Sequence, residues 1–354
     1  MIHLFVLIIF FLTSPLFLPT ALAQVGGRQS FEFLRVPTDA RASALGGANV
    51  STGASDANAF WRNPALVSDS AFGQGTFSYI PWHADIHNFT LAYVSPFKKT
   101  KALGVGLYLL NYGKITETDA SGQVLGTFQA SDFAFKVGYS FAQAPFRFGA
   151  NLKFLGSQLA GFNAYALALD LGATFQHPHQ DFSLGLVIKN AGLVLRRYTP
   201  EASAPLPFDV QIGASFKPLF MPLRFSATLH HLYRWDIVYL DPNQQTQLDP
   251  NGNPIPDEKT FFDKLARHFV LSAEILLGKA FQINLGYNHL INREMRIEGL
   301  GGLRGLSFGF DLHTRLFALG FARGTYHIGE GRNFFTLRIN TRALRKQNIR
   351  RVNQ

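Results

Sequence analysis

Residues 133–141 read FAFKVGYSF. In an extended chain Phe133, Phe135, Val137, Tyr139 and Phe141 share one side, and Ala134, Lys136, Gly138 and Ser140 share the other. Period two is the geometry of a strand. The same alternation recurs in FRFGANLKF (146–154), FQINLGYN (281–288) and LSFGFDLH (306–313). A soluble sheet also sets an apolar face against a polar one. Here, however, one face is bulky and apolar in segment after segment of about ten residues, as in a barrel whose outside meets lipid.

The composition agrees with that reading. Charged residues are 16% of the 354, well below the ~25% of an ordinary soluble domain. There are 35 Phe and 32 Gly, more phenylalanine than a soluble core requires but suited to a lipid-facing surface. The formal charge is +10. The basic residues are scattered and no nucleic-acid motif is present, so an anionic membrane surface is the better partner and nucleic acid is not expected. Cysteine is absent, which excludes disulfide and thiolate chemistry.

About fourteen alternating segments can be counted, starting near residues 74, 86, 101, 123, 146, 161, 180, 207, 222, 266, 280, 303, 316 and 333. Connections after even-numbered segments are short, around Lys98, Gln143, Pro178, Pro218, Gly278 and Thr314. After odd-numbered segments several are long: 112–122, 190–206, 232–265 and 289–302. Short turns at one end and long loops at the other are the habit of outer-membrane barrels, with the long set extracellular. Closure also satisfies every backbone group in lipid. The expected fold is therefore an all-β, transmembrane antiparallel barrel of about fourteen strands over 73–341, with both termini periplasmic and a basic tail at 342–354.

The opening residues complete the plan. MIHLFVLIIFFLTSPLFLPTALAQ has an apolar run and an Ala21-Leu22-Ala23 cleavage pattern, so residues 1–23 are predicted to be a signal peptide. Ser14, Pro15 and Pro19 argue against an N-terminal membrane anchor. Residues 24–72 are rich in Gly, Ala and Ser, with a capped turn at Asn63-Pro64 and aromatic anchors Phe31, Phe33, Phe60 and Trp61. A barrel of this size has a lumen its own side chains cannot fill. The segment is expected to fold into that lumen as a hatch; the competing reading is a periplasmic leader.

Within that segment FEFLRVPTDARASALGG, Asp56 and NPAL resemble the N-terminus of the PorQ family of type IX secretion outer-membrane barrels. That family belongs with PorV and, more distantly, with the FadL fatty-acid transporters, whose hatch also carries an Asn-Pro-Ala motif. The positions that carry the resemblance are Gly46, Gly47, Asp56, Asn63, Pro64 and Ala65. It covers about 45 residues in detail. It implies a non-enzymatic subunit of the cargo attachment complex that holds a PorZ-like surface protein at the outer membrane, in the neighbourhood of lipopolysaccharide. The basic tail after the last strand departs from the aromatic ending many barrels have.

Other chemistry is weakly signalled. Gly305-Leu306-Ser307-Phe308-Gly309 matches G-x-S-x-G, but Ser307 lies in an alternating strand rather than a strand–turn–helix elbow. His230 and His231 are neighbours, which in a strand places them on opposite faces and prevents joint chelation. Asp249, Asn251 and Asn253 mimic a calcium loop, but Pro254 and Thr260 stand where Gly and Glu are needed. No metal, cofactor or catalytic residue is expected. Tyr239, Leu240, Asp249, Asn251, Phe261 and Phe262, in the longest connection, are the candidate partner-binding residues, because exposed aromatics carry interface energy. The alternative function is a FadL-like channel for hydrophobic small molecules, which would require an apolar interior and a side opening.

Overall fold

The structure is a computed structural model, and it describes residues 30–344 apart from 53–55, 84, 99, 200–204, 239–259, 296–303 and 328–329. Fourteen antiparallel strands close into one barrel: β1 (Gln74–Pro81), β2 (His87–Lys98), β3 (Lys101–Thr118), β4 (Val124–Gln143), β5 (Phe146–Leu159), β6 (Phe162–Gln176), β7 (Phe182–Arg196), β8 (Asp209–Phe216), β9 (Leu223–Leu229), β10 (Phe269–Leu277), β11 (Phe281–Asn288), β12 (Leu306–His313), β13 (Phe317–His327) and β14 (Glu330–Asn340). Each strand pairs with its sequence neighbours, and β1 pairs with β14 to close the ring. Among the described residues no helix is long and apolar enough to cross a membrane.

The alternation read from sequence sorts the side chains. Phe135, Val137, Leu152, Phe154, Leu285, Phe308 and Phe310 are exposed on the outside of the wall, while Lys136, Asn151, Lys153, Asn284, Ser307 and Asp311 are buried inside. Water lies outside a soluble barrel, so a wall that is greasy outside and polar inside is built for lipid. Aromatic rings pair across neighbouring strands on this outer face, as with Phe310–Phe321 (5.5 Å) and Phe321–Phe335 (5.5 Å).

The strand starts lie close to the expected ones, but four connections differ. The segment 112–122 is not a loop: β3 and β4 continue as a paired ribbon out to Thr118 and Val124, with a register shift at Asn111/Lys114. Beyond the lipid both faces of such a ribbon meet water, so the alternation cue disappears although the ladder persists. The stretch from 190 also continues as strand. Asn190 sits at φ 58° in a bulge of β7, where two β7 residues face the one β6 residue between Leu169 and Leu171, so Lys189-Asn190-Ala191-Gly192 reads as a turn but only bends β7. Two long connections contain short helices that the pattern did not announce, Phe261–Arg267 and His289–Glu294.

Residues 30–72, apart from 53–55, lie inside the barrel. Helix Ala40–Ala44 packs against β11–β14, and the turn Pro64–Leu66 packs against β4–β6. Phe31, Phe33, Phe60 and Trp61 join Tyr108, Leu110, Leu155 and Leu206 in one buried cluster. The first residue of the tail, Arg342, stacks over the Phe72 ring at 5.5 Å, where the chain leaves the lumen for β1. Signal-peptide residues 1–23 and the tail residues Arg345, Lys346, Arg350 and Arg351 lie outside the described residues.

Candidate functional site

Polar side chains are concentrated in the lumen and the segment that fills it, and wall glycines make the fit possible. A Cβ on Gly149 would meet the Pro64 backbone at 2.5 Å, and one on Gly106 would meet Trp61 at 2.7 Å. One on Gly172 would strike Asn63, and one on Gly286 would strike the Gly46 backbone. Glycines facing inward therefore mark the track along which hatch and wall touch.

The hatch motif residues hold that contact. Asn63 Oδ1 accepts from Ala65 N (2.9 Å), closing the 3₁₀ turn that Pro64 opens. Its Nδ2 donates to Val50 O (3.1 Å) and to Leu186 O of β7 (3.2 Å), so one side chain ties two hatch segments to the wall. Gly46 and Gly47 both take left-handed φ, 82° and 87°, and end helix Ala40–Ala44 by donating to Ser43 O and Ala42 O. Ala65 and Pro64 are packed against β5 and β6. Asp56 caps Ala59 N (3.0 Å) and faces Arg338 Nη1 at 3.3 Å and Arg41 Nη1 at 3.9 Å.

Two sectors of the lumen differ in how their charges are matched. On the β10–β14 side Arg41 pairs with Glu274 (2.6 Å), Glu274 with Arg224 (3.3 Å), and Arg338 with both Asp56 and Asp311. Asn284 Nδ2 adds a bond to Asp311 (2.8 Å) and Gln282 Nε2 one to Glu274 (2.6 Å). On the β4–β7 side Asp170 receives Lys153 (2.6 Å) and Lys136 (3.1 Å), and Lys136 also donates to Phe60 O (3.0 Å) while lying 4.8 Å from the Phe60 and Trp61 rings. Next to this group is a small, partly enclosed cavity lined by Arg35, Arg62, Lys136, Lys153 and Lys189 and by no carboxylate.

The wall is also uneven. β7 pairs with β8 only over Phe182–Lys189; among the described residues its outer stretch, Asn190–Arg196, has no ladder partner on that side. Residues 205–208 run there without strand pairing, held by Asn190 Nδ2 donating to Pro207 O (2.7 Å). Leu206 enters the buried apolar cluster, with Val194 and Tyr198 packed against it.

The remaining sequence candidates are placed as follows. Ser307 is in β12, and its hydroxyl donates to Ala44 O (3.1 Å) and accepts from Gly46 N (3.2 Å), so it fastens the hatch. His230 and His231 are not held on opposite faces as the strand reading required. β9 ends at Leu229, His231 turns to φ 57°, and the two rings meet with centroids 4.7 Å apart. Burial is the largest cause holding the His231 imidazole below its ordinary pKa, with Asp209 opposing and Arg35 reinforcing. Among the described residues no group of three or more His, Cys, Asp or Glu is placed to hold a metal. Phe261 and Phe262 are exposed on their short helix, and Trp235 lies 5.2 Å from the Phe261 ring. Tyr239, Leu240, Asp249, Asn251 and Asn253 lie outside the described residues.

The buried ion network and the wall glycines were not singled out from sequence. A signal existed: Lys136, Lys153, Asp170, Glu274, Asp311 and Arg338 are charges at inward positions of the strands. Inward charges of both signs mean that something inside must be paired with them.

No family profile matches the chain, and no curated protein matches its sequence. Among solved structures it is similar to the toluene transporter TodX of Pseudomonas putida, with 14% identity, a TM-score of 0.50, and coverage of 86% of this chain and 96% of that one. It is also similar to a FadL homologue of Pseudomonas aeruginosa, with 10% identity, a TM-score of 0.46, and coverage of 86% and 98%. At such identities the likeness to TodX concerns the fold, which is that of outer-membrane barrels.

Proposed function

We propose that the chain is an outer-membrane channel that admits hydrophobic small molecules through the side of its wall. The observation that carries this reading is the unpaired outer stretch of β7 beside Leu206, Val194 and the buried aromatic cluster. An apolar molecule dissolved in the membrane gains nothing by entering a polar lumen from above. It can pass between side chains where no backbone ladder bars the way. The fold shared with a toluene transporter supports the same reading.

The test uses two probes on cells that express the chain. The hydrophobic dye 1-N-phenylnaphthylamine is expected to cross the outer membrane faster than in cells without the chain, while the hydrophilic β-lactam nitrocefin is not. Deleting residues 27–70 should leave an assembled barrel that admits nitrocefin as well. Equal dye entry with and without the chain would overturn the channel reading. Unchanged nitrocefin exclusion after the deletion would overturn the role of residues 27–70 as a plug.

A second reading keeps the chain as a type IX secretion subunit that anchors a surface partner. It rests on the N-terminal resemblance and on one observation at the long-loop end, where Trp235, Phe261 and Phe262 stand exposed at the base of the longest connection. Shortening 240–257 to a tight turn is expected to release a bound surface protein under this reading and to leave dye entry unchanged under the first.

A further inference from the structure

We infer that the cavity between the hatch and β4–β7 is a binding site for a phosphate group. The reasoning starts from donors without acceptors. Arg62 is 5% exposed and lines the cavity, yet Nε, Nη1 and Nη2 all lack a hydrogen-bond partner. Arg62 makes no ion pair among the described residues; the carboxylates that feel its charge are engaged elsewhere, Asp39 capping Ala42 N and Asp56 facing Arg338. Trp61 Nε1, on the same cavity, is also buried and unpartnered. Lys189 lines it and makes no ion pair among the described residues. A guanidinium left unpaired in a low-dielectric interior is costly, so a buried one that faces a cavity points to a missing acceptor.

The surroundings say what the acceptor is. Five cationic side chains line the cavity and no carboxylate does. Two of them are already committed, Lys136 and Lys153 to Asp170, and Arg35 pairs with Glu32 at 2.8 Å. Arg62 and Lys189 therefore supply the charge that has no ion-pair partner among the described residues. A neutral ligand would leave that charge standing. A carboxylate has two oxygens and about four acceptor positions, fewer than the five N–H groups of Arg62 with the indole N–H and the Lys189 ammonium. A phosphate group brings three strong acceptor oxygens and up to two charges, and guanidinium geometry suits it. Its source is either the free ion or the headgroup of an amphiphile, and the chemistry at Arg62 is the same for both.

The experiment is calorimetric titration of the full chain in dodecyl maltoside, in chloride buffer, with inorganic phosphate, dodecyl phosphate, dodecanoate and dodecanol in separate runs. Binding of inorganic phosphate supports the site with the free ion as ligand. Binding of dodecyl phosphate alone supports it with a headgroup as ligand. Arg62→Gln is expected to weaken the binding at least tenfold and Lys189→Gln several-fold, with Lys279→Gln, a charge-matched change in a distant turn, without effect. Should Arg62→Gln fail to give a heat-modifiable barrel on gels, Lys189→Gln carries the test. The inference is overturned if neither phosphate binds, if dodecanoate or dodecanol binds as tightly as dodecyl phosphate, or if an assembled Lys189→Gln barrel binds phosphate as well as the unaltered chain does.

Discussion

The hatch meets the wall in two ways. Toward β10–β14 its Arg41 and Asp56 are matched by Glu274, Arg338 and Asp311. Toward β4–β7 one carboxylate, Asp170, faces a group of lysines, and Arg62 has no partner. Both sectors are polar lumen on the same barrel. The difference shows that polarity alone does not mark a site: a matched network fastens, and an unmatched one waits for a ligand. The outer stretch of β7 that has no ladder on its β8 side adjoins the second sector, where no hatch ion pair among the described residues fastens it.

The largest way to break that comparison is to unmatch the matched side. Glu274→Ala leaves Arg41 and Arg224 facing each other without their carboxylate, and breaking a buried pair in this manner typically costs about 3–5 kcal/mol. The heat-modification midpoint on gels should fall accordingly. Lys189→Gln, in the other sector, breaks no ion pair among the described residues and should change it far less. Equal losses from both substitutions would erase the distinction between the sectors.

Packing provides the next test. Gly286 lies where α-carbon wall and hatch backbone touch, and a side chain there would strike Gly46 and the Ala44 carbonyl. Overpacking of this kind costs about 1–3 kcal/mol, and Gly286→Val should loosen helix Ala40–Ala44 from β11–β14. Protease cleavage within residues 30–50 of the assembled barrel should become measurable. Gly126, whose added Cβ would meet nothing, is the control position. A smaller effect is expected for Asn63→Ala, which loses a cap worth about 1 kcal/mol together with the tie to Leu186. It should raise nitrocefin entry slightly without dismantling the barrel.

These residues also show what the sequence could reveal. The wall was legible because lipid imposes one rule on every strand: Phe133, Phe135 and Val137 must face out, whatever lies inside. The hatch was legible through Asn63-Pro64 and the glycine pair Gly46-Gly47, where backbone geometry restricts the residue types. The charged lumen was not. Lys136 and Asp170 are 34 residues apart and belong to different strands, and only register brings them to 3.1 Å. The unpaired stretch of β7 was hidden for a related reason, because a missing ladder leaves no mark on alternation. His230 and His231 were misread because a strand end cancels the rule that would have separated them.

The smallest effect lies outside the lumen, where the matched pattern returns at the long-loop end. Asp263, on helix Phe261–Arg267, receives Arg267 Nε at 2.7 Å and Arg293 Nε, from helix His289–Glu294, at 3.0 Å. Burial raises its pKa, but the Arg267 hydrogen bond and the two guanidinium charges outweigh that and hold the carboxyl below its ordinary value. A depressed carboxylate contributes its stability above the unfolded pKa, about 3.9, and that contribution is lost as pH falls through the lower folded value. The Asp263 side chain is 12% exposed but Arg293 is 36% exposed, so water screens part of the pairing and the gain is about 1 kcal/mol. Trp235, stacked near Phe261, reports on the helix. Its emission should shift to the red as pH drops below about 4, and Asp263→Asn should show much of that shift already at neutral pH. An acid transition that is identical in the two proteins would mean that Asp263 does not hold these helices together.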